Sequence, residues 1–342
     1  MKNRPVTPAW SLIAPAAFAL LYPYCLKGYH SRLEADALWP AITLLALACC
    51  APLAGCIAAC RLGRIPQPNH GQVRAKLVAL LALAAPPMYT AAGVLLYMAG
   101  DPLADTTVWI GLWGALLLYG GLLPRRGSAQ ASVPASLPAG LRVAHGISAL
   151  AIVLLFLAMH LSNHLAGLSS EATHRRLMDL FRSVYRAHLV EPAIVLLFLF
   201  QLASGLMLLR SHLARAADFF RSLQLASGTY LLFFILGHMN SVFIYARRFA
   251  RIETDWNFAV GAPTGMLHDA WNIRLLPHYY FGVFFVLAHL VLGARVVALG
   301  HGLPRSRVDK LAKAGLGASA LIALLILLGM CGVHLSPGDG IF

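Results

Sequence analysis

The sequence contains few charged residues. Asp, Glu, Lys and Arg occupy 12% of its 342 positions, whereas apolar residues occupy 59%. A soluble domain has roughly 25% charged and 45–50% apolar residues, so this composition excludes a water-soluble enzyme. It also excludes a disordered chain, which requires low hydrophobicity. Six cysteines are too few for a disulfide-stabilised scaffold, and the chain is therefore predicted to be a polytopic membrane protein.

Several catalytic motifs are also missing. The sequence has no phosphate-binding glycine loop, no Cys-x-x-Cys pair, no serine nucleophile elbow and no Cys-x-x-Cys-His motif for covalent haem attachment. Redox chemistry on a soluble substrate would therefore need another subunit.

Long apolar runs are abundant. A hydrocarbon core about 30 Å thick needs about 20 helical residues. We predict an all-α fold with nine transmembrane helices, at residues 9–26, 38–60, 77–99, 108–123, 143–165, 189–209, 223–245, 279–299 and 314–333. A Pro/Ser/Ala/Gly-rich linker at 124–141 would separate a four-span module (1–123) from a five-span bundle (142–342). Trp109 and Trp113 are expected to anchor the fourth span at the membrane interface.

The basic residues are distributed unevenly between the two predicted sides. Loops on the side of the N-terminus hold 16 Lys and Arg and two acids, whereas the other side holds 10 basic and 11 acidic residues. The positive-inside rule therefore predicts a cytoplasmic N-terminus and an external C-terminus in a bacterial inner membrane. Anionic lipid headgroups, rather than nucleic acid, explain the basic face.

Histidines within the apolar runs are functional candidates, because ionisable groups at membrane depth are costly. Six histidines are predicted to lie in solvated loops: His30, His70, His174, His212, His268 and His301. Three lie deep in spans: His160, His238 and His289. Four lie near helix ends: His145, His164, His188 and His278.

His160 and His238 lie at matched depth. Both fall in the outer half of a span that runs outward, and both are followed by Ser and Asn residues. Each could simply form a hydrogen bond between helices. The matched pair favours a six-coordinate b-type haem, with these two side chains as the axial ligands of the iron. Gly237 would let the macrocycle approach the backbone, and His164 would contact a propionate or water.

A second candidate site lies deeper, on the cytoplasmic side. His289 and Gln201 are at comparable depth, and each is followed four residues later by glycine. This arrangement would suit a second haem, but a neutral amide is a poor axial ligand. We therefore predict that the second haem site is altered or empty.

These features give residues 143–333 a resemblance to the diheme cytochrome b membrane subunits of succinate dehydrogenase and fumarate reductase. The segment Gln224-Leu-Ala-Ser-Gly228, followed by Gly237-His238-Met239, is similar to the family's Gln-x-Ala-Ser/Thr-Gly segment with a haem histidine fourteen residues after the glutamine. His289 with Gly293 resembles the family's fourth helix. Residues 1–123 match no family that we recognise.

The resemblance implies a five-helix haem bundle that exchanges electrons with a quinone. His160 and His238 would bind the outer haem, and Gln201 and His289 would form the inner site. The remaining implied residues are His145 and Ser148 near the quinone, Glu191 as an acceptor of quinol protons with His188 beside it, and His278 at the outer haem or the quinone. The chain would be an electron-transfer subunit of a quinone oxidoreductase rather than an enzyme alone, with a soluble redox subunit on the cytoplasmic face.

Two other functions stay open. In a proton- or metal-coupled transporter, intramembrane His and Glu would relay protons, and Pro86-Pro87 would break a helix. In a non-catalytic anchor or sensor, the haem site would be vestigial. Glu191 also has a plain interpretation as an acid at the start of a helix.

Overall fold

A computed structural model describes residues 10–101, 103–122 and 130–335. These residues form helices and connecting turns, with one isolated β-bridge between Asn69 and Gln130. The α-helices are α1 (Trp10–Glu34), α2 (Leu38–Gly63), α3 (His70–Leu83), α4 (Ala85–Met98), α5 (Asp105–Leu117), α6 (Ala139–Ile152), α7 (Ala158–Ala166), α8 (Glu171–Tyr185), α9 (Val190–His212), α10 (Phe219–Met239), α11 (Trp256–Val260), α12 (Gly265–His268), α13 (Leu275–Gly300) and α14 (Arg305–Met330).

Three wider π-helical segments continue α-helices. They are Leu118–Leu122 after α5, Val153–Leu157 between α6 and α7, and Asn240–Ala250 after α10. A short 3₁₀ turn, Asn272–Arg274, precedes α13. π-Helical turns are rare and frequently occur at functional sites, and two of these segments adjoin the helices that carry His160 and His238.

The prediction of a helical membrane protein is confirmed, but the predicted number of nine transmembrane helices is not supported. Within the described residues, six helices are long and apolar enough to cross a membrane: α2, α6 with α7, α9, α10 with its π-helical continuation, α13 with the turn before it, and α14. The bent pair α3 and α4 would make a seventh. The helices at the first and fourth predicted spans do not qualify: α1 contains Pro15, Pro23 and Lys27, and α5 is short and begins with Asp105.

The predicted third span is broken rather than continuous. α3 ends at Leu83, α4 begins at Ala85, and the two helices are bent by 65°. Pro86 and Pro87 occupy the first turn of α4. A proline has no amide hydrogen to donate and clashes with the preceding turn, so this pair favours a new helix start.

The chain divides into two compact units. The first comprises Met1–Ser136 and Leu209–Ser241, and the second comprises Leu137–Leu208 and Val242–Phe342. The grouping differs from the predicted five-span bundle at one helix, because α10, which carries His238, packs with α2, α3 and α4.

The first unit has a core of large aromatic side chains and small residues. Tyr22, Tyr89, Trp109 and Trp113 are almost fully buried, and successive rings lie within contact distance. The prediction of Trp109 and Trp113 as interface anchors is therefore wrong: the indole of Trp109 donates to Ala19 O over 2.7 Å inside the unit. The backbone carbonyl of Ala19 thus satisfies the polar atom of Trp109, whereas Trp113 Nε1 is buried and has no hydrogen-bond partner among the described residues.

The second unit joins α13 to α14 and α7 to α8 and α14. Ser170 caps the start of α8, and its hydroxyl accepts a hydrogen bond from the amide of Thr173. Gly329 lets α14 approach closely, because a Cβ there would lie 2.9 Å from Leu168 N. α14 therefore packs against the turn between α7 and α8.

Candidate functional site

Residues from three helices of the second unit form the inner cluster. α6 supplies His145 and Ser148, α9 supplies Gln201 and Ser204, and α13 supplies His289. Ser148 and Ser204 are buried, whereas His145, Gln201 and His289 are half-buried. The structure thus brings together four residues that the sequence singled out and one, Ser204, that it did not.

Gln201 ties α9 to α6. Its Nε2 donates to His145 O over 2.7 Å and to Ser148 Oγ over 2.6 Å. Both amide protons are therefore engaged by α6. Gln201 therefore contacts the segment of α6 that carries His145, and its predicted pairing with His289 at an inner haem stays a prediction.

Ser204 contacts the imidazole of His145. Ser204 Oγ lies 2.6 Å from Phe200 O and 2.7 Å from His145 Nδ1. With the single hydroxyl proton donated to Phe200 O, Ser204 accepts a hydrogen bond from Nδ1–H, and the lone pair of the imidazole is on Nε2; with the proton donated to Nδ1, the tautomer is reversed. Metal-binding histidines have the first of these arrangements, in which one ring nitrogen donates to a neighbour and the other binds the metal.

His145 faces His289 across the inner cluster. Their ring centroids are 6.5 Å apart, and the ring planes are at 81°. Two imidazoles on opposite sides of one metal ion, with metal–nitrogen distances of about 2 Å, have centroids roughly 6 Å apart. The separation of the two centroids is therefore close to that of two imidazoles on one iron.

Glycines adjoin this pair of rings. A Cβ at Gly205 would lie 3.5 Å from His145 Cε1, an ordinary van der Waals distance, so α9 packs against this imidazole. A Cβ at Gly293, one turn after His289, would meet no atom of the described chain within 4 Å. The inner cluster therefore combines two imidazoles with open space on α13 one turn after His289.

A second cluster of imidazoles, which we call the outer histidine cluster after the side predicted from the sequence, lies on α7 and α8 of the second unit. His160 and His164 of α7 have ring centroids 4.7 Å apart, and His164 lies 5.4 Å from His174 of α8. Trp256 covers His174 at 4.5 Å. Phe156, in the π-helical segment, stacks on His160 at 4.8 Å. The cluster thus leads from the α7 span to the outer helix α8.

The prediction that His174 lies in a solvated loop is wrong. Its side chain is only 2% exposed, and Nε2 lies 3.1 Å from Asn163 Nδ2. Burial, with the positive charge of Arg182 nearby, lowers its pKa to about 4. The imidazole is therefore neutral at pH 7 and accepts a hydrogen bond from Asn163.

His238 belongs to the first unit. It stacks on Phe234 with centroids 5.7 Å apart, and Gly237 beside it faces Ala91, where a Cβ would lie 3.3 Å from that residue's Cβ. His160 belongs to the second unit. Pairing of His160 with His238 at one iron stays a prediction.

The other predicted site residues lie at the outer boundary of the second unit. Glu191 forms an ion pair with Arg247, whose Nη1 lies 2.8 Å from Glu191 Oε1, and both side chains are about 30% exposed. His188 is exposed, and His278 is buried beside Tyr279. The predicted proton acceptor is therefore already paired with an arginine.

Ser204 and His174 are the functional candidates that sequence reasoning missed. Ser204 lies in the pentapeptide Gln201–Gly205, three residues after Gln201, and this spacing was an available signal. His174 gave no such signal, because α8 is polar overall and the burial of His174 depends on Trp256, 82 positions later.

Comparison with known proteins adds no further assignment. No protein-family model, curated protein or solved structure matches this chain. The resemblance to diheme cytochrome b subunits therefore rests on the residues themselves, and the functional conclusion must be argued from the two histidine clusters.

Proposed function

We propose that this chain is a membrane-embedded b-type cytochrome that exchanges electrons with a quinone. The observation that carries the proposal is the pair His145 and His289, whose rings are 6.5 Å apart. Haem iron takes two axial ligands from the protein, whereas a closed tetrahedral zinc site takes four. Two imidazoles in an apolar bundle therefore favour haem.

The residues around His145 would prepare it for this role. Ser204 contacts the ring, and where its hydroxyl accepts from Nδ1–H, Nε2 can bind iron without losing a proton. Gln201 holds the backbone carbonyl of His145. We infer that the inner haem is ligated by His145 and His289, with Gln201 as a supporting residue.

A second, outer haem would be held by His160 and His238. Their matched depth supports this pair, as do the adjoining π-helical segments Val153–Leu157 and Asn240–Ala250. Bound haem supplies one-electron chemistry at its iron. The two histidines would each keep their ring in position by stacking, His160 on Phe156 and His238 on Phe234.

The electron partner proposed is a quinone within the lipid phase. Glu191, with His188 nearby in sequence, is the proposed acceptor of quinol protons. Because Arg247 holds Glu191 at 2.8 Å, proton uptake there would require this ion pair to open. A soluble redox subunit would bind the basic side, which positive-inside bias assigns to the cytoplasm of a bacterial inner membrane.

One observation favours a transporter as the second candidate. α3 and α4 form a broken span bent by 65°, and broken helices form binding sites in secondary transporters. Haem-free protein that carries a pH-dependent flux in liposomes would support this alternative. Copurification with a partner but without turnover would support a non-catalytic anchor.

The test is haem stoichiometry in the purified full-length protein. We expect two b-type haems per chain and a low-spin reduced-minus-oxidised spectrum. His145→Ala and His289→Ala should each remove the same one haem, and His160→Ala and His238→Ala should each remove the other. The control is His301→Ala, because His301 is exposed and its Nδ1 lies 2.9 Å from the carbonyl oxygen of Val297 at the same helix end.

Two outcomes would contradict the proposal. One is wild-type protein that contains no haem when it is produced with excess haem. The other is a full complement of low-spin haem in both His145→Ala and His289→Ala, which would remove the observation on which the proposal depends.

A further inference from the structure

Two arginines on α8 and the turn that follows it converge on one threonine. Arg182 Nη2 donates to Thr254 O over 2.5 Å, and Arg186 Nη2 donates to Thr254 Oγ1 over 2.7 Å. The arginines are four residues apart and therefore share a side of the helix end. All three residues belong to the second unit.

Each of these guanidinium groups has a buried donor that the described chain does not satisfy. Arg182 Nε and Arg186 Nε are both inaccessible to solvent, and neither has a hydrogen-bond partner in the described residues. Buried polar groups in proteins nearly always have a partner, and an unsatisfied charged donor is costly. Two such donors on neighbouring arginines point to an acceptor supplied by a bound group.

The charge around Arg186 is unbalanced. Its charged neighbours are Arg182, Arg247 and Glu191, and Glu191 is already paired with Arg247 at 2.8 Å. Around Arg186 itself, arginines therefore outnumber carboxylates, although Asp255, which follows Thr254, acts together with Arg182 on His174. Burial and the two other arginines lower the pKa of Arg186. A bound anion would offset this excess of positive charge.

The arginines lie close to the outer histidine cluster. Tyr185, between them in sequence, contacts Phe156 with ring centroids 5.4 Å apart. Phe156 in turn stacks on His160 at 4.8 Å. One aromatic layer therefore separates the arginine-bearing end of α8 from the proposed ligand of the outer haem.

We propose that Arg182 and Arg186 bind the two propionate carboxylates of the haem ligated by His160. The proposal rests on the haem function proposed above. Planar carboxylates match the fork of guanidinium donors, and their negative charge offsets the excess of arginines around Arg186. The buried Nε atoms favour a carboxylate of an inserted cofactor over a lipid phosphate, which would remain at the membrane surface.

The test compares haem b with its dimethyl ester, in which both propionates are uncharged. Full-length protein produced in haem-deficient cells is titrated with each compound, and binding is followed by absorbance. Wild-type protein should bind haem at least about tenfold more tightly than the ester, because charge-assisted hydrogen bonds are lost with the ester. Arg182→Gln and Arg186→Gln should each reduce this ratio, and the double variant should bring it close to one.

Three control variants separate charge recognition from folding. Arg176→Gln removes a charge from an exposed position on the same helix and should keep the wild-type ratio. Thr254→Val removes the hydroxyl that Arg186 contacts and should also keep the wild-type ratio. Arg182→Lys combined with Arg186→Lys keeps the charge and should give an intermediate ratio.

Redox titration gives a second measurement. Loss of positive charge near the haem should lower the midpoint potential of the outer haem in both glutamine variants, but not in Arg176→Gln. A wild-type ratio in the double variant would overturn the assignment of these arginines. Wild-type protein that binds neither compound would instead contradict the proposed haem function.

Discussion

The two units use buried polar groups differently. In the first unit, Asp105 is 4% exposed, accepts a hydrogen bond from the Tyr89 hydroxyl at 2.8 Å and lies 3.7 Å from Lys27 Nζ. Lys76 donates to Leu213 O over 3.1 Å. The second unit also has an ion pair, that of buried Arg295 with Asp309, but in addition it has polar groups around imidazoles: Ser204 and Gln201 contact His145 and its carbonyl, and Asn163 contacts His174.

This difference separates groups that hold the fold from groups that prepare a site. A carboxylate bonded to a tyrosine, or an ammonium bonded to a carbonyl, satisfies buried charge within the protein. An imidazole oriented through one nitrogen keeps its other nitrogen for a ligand. Substitutions in the first unit away from His238 should therefore change stability without changing the cofactor content of the folded protein, whereas substitutions around the imidazoles should change the cofactor content.

Gly55→Ala should have the largest effect on stability. A Cβ at this position of α2 would lie 2.4 Å from Leu83 N and 2.5 Å from Ala79 O, both backbone atoms of α3. The two helices must move apart, and we expect a loss of about 3 kcal/mol in the free energy of unfolding. Denaturation in detergent micelles, followed by circular dichroism, measures this loss.

Gly111→Ala is the matched control for Gly55→Ala. A Cβ at Gly111 in α5 meets no described atom within 4 Å, so this variant should unfold like the wild type. Both variants should keep the wild-type haem content per folded molecule. Loss of haem from folded Gly55→Ala protein would contradict the claim that packing in the first unit affects stability but not haem content.

The sequence predicted the helices better than the contacts between them. Apolar runs located α9 and α13 to within a few residues, because a helix that crosses a membrane must satisfy its own backbone and face lipid. α14 begins at Arg305, nine residues before the predicted start at 314, because helix formation continues through a basic segment that hydropathy excludes. The break between α3 and α4 was suggested by Pro86-Pro87.

The site was predicted only in part, because its partners are distant in sequence. His145 contacts Ser204, 59 residues later, and a single sequence does not specify which of many serines faces a given imidazole. The same pentapeptide occurs at Gln201 and at Gln224, yet Ser204 contacts an imidazole whereas Ser227 donates to the carbonyl of Gln224. Local sequence is identical, and tertiary position decides the chemistry.

His174 should make the stability of the second unit depend on pH. Its pKa is about 4 in the folded protein, because burial and Arg182 and Arg175 disfavour the charged form more than Glu171 and Asp255 favour it. In the unfolded chain it would be near 6.5. As pH falls from 6.5 to 4, the unfolded state takes up a proton that the folded state does not, so stability falls, by roughly 2–3 kcal/mol over this range.

Unfolding midpoints at pH 7.5 and pH 5.0 measure this dependence. His174→Gln keeps an oxygen that can accept from Asn163 and should remove most of the difference between the two pH values. His268→Gln changes an exposed histidine and should leave the difference as in the wild type. An equal pH dependence in all three proteins would show that His174 does not titrate with unfolding.

Gln201 and Gln224 begin the two copies of the pentapeptide, one in each unit, and their replacement tests the difference between the units. We expect its effect to be the smallest of the predicted effects. Gln201→Ala removes the donors to His145 O and Ser148 Oγ, and each hydrogen bond contributes about 1 kcal/mol. With two bonds lost, His145 is held less firmly, and release of the inner haem to an external acceptor should accelerate about tenfold. Gln224→Ala, in the first unit, removes a contact with Arg221 and should change haem release by less than about twofold.

Equal acceleration by both variants would mean that the inner haem depends on general helix packing. Acceleration by Gln201→Ala alone would mean that one repeated pentapeptide positions a ligand while the other supports a helix.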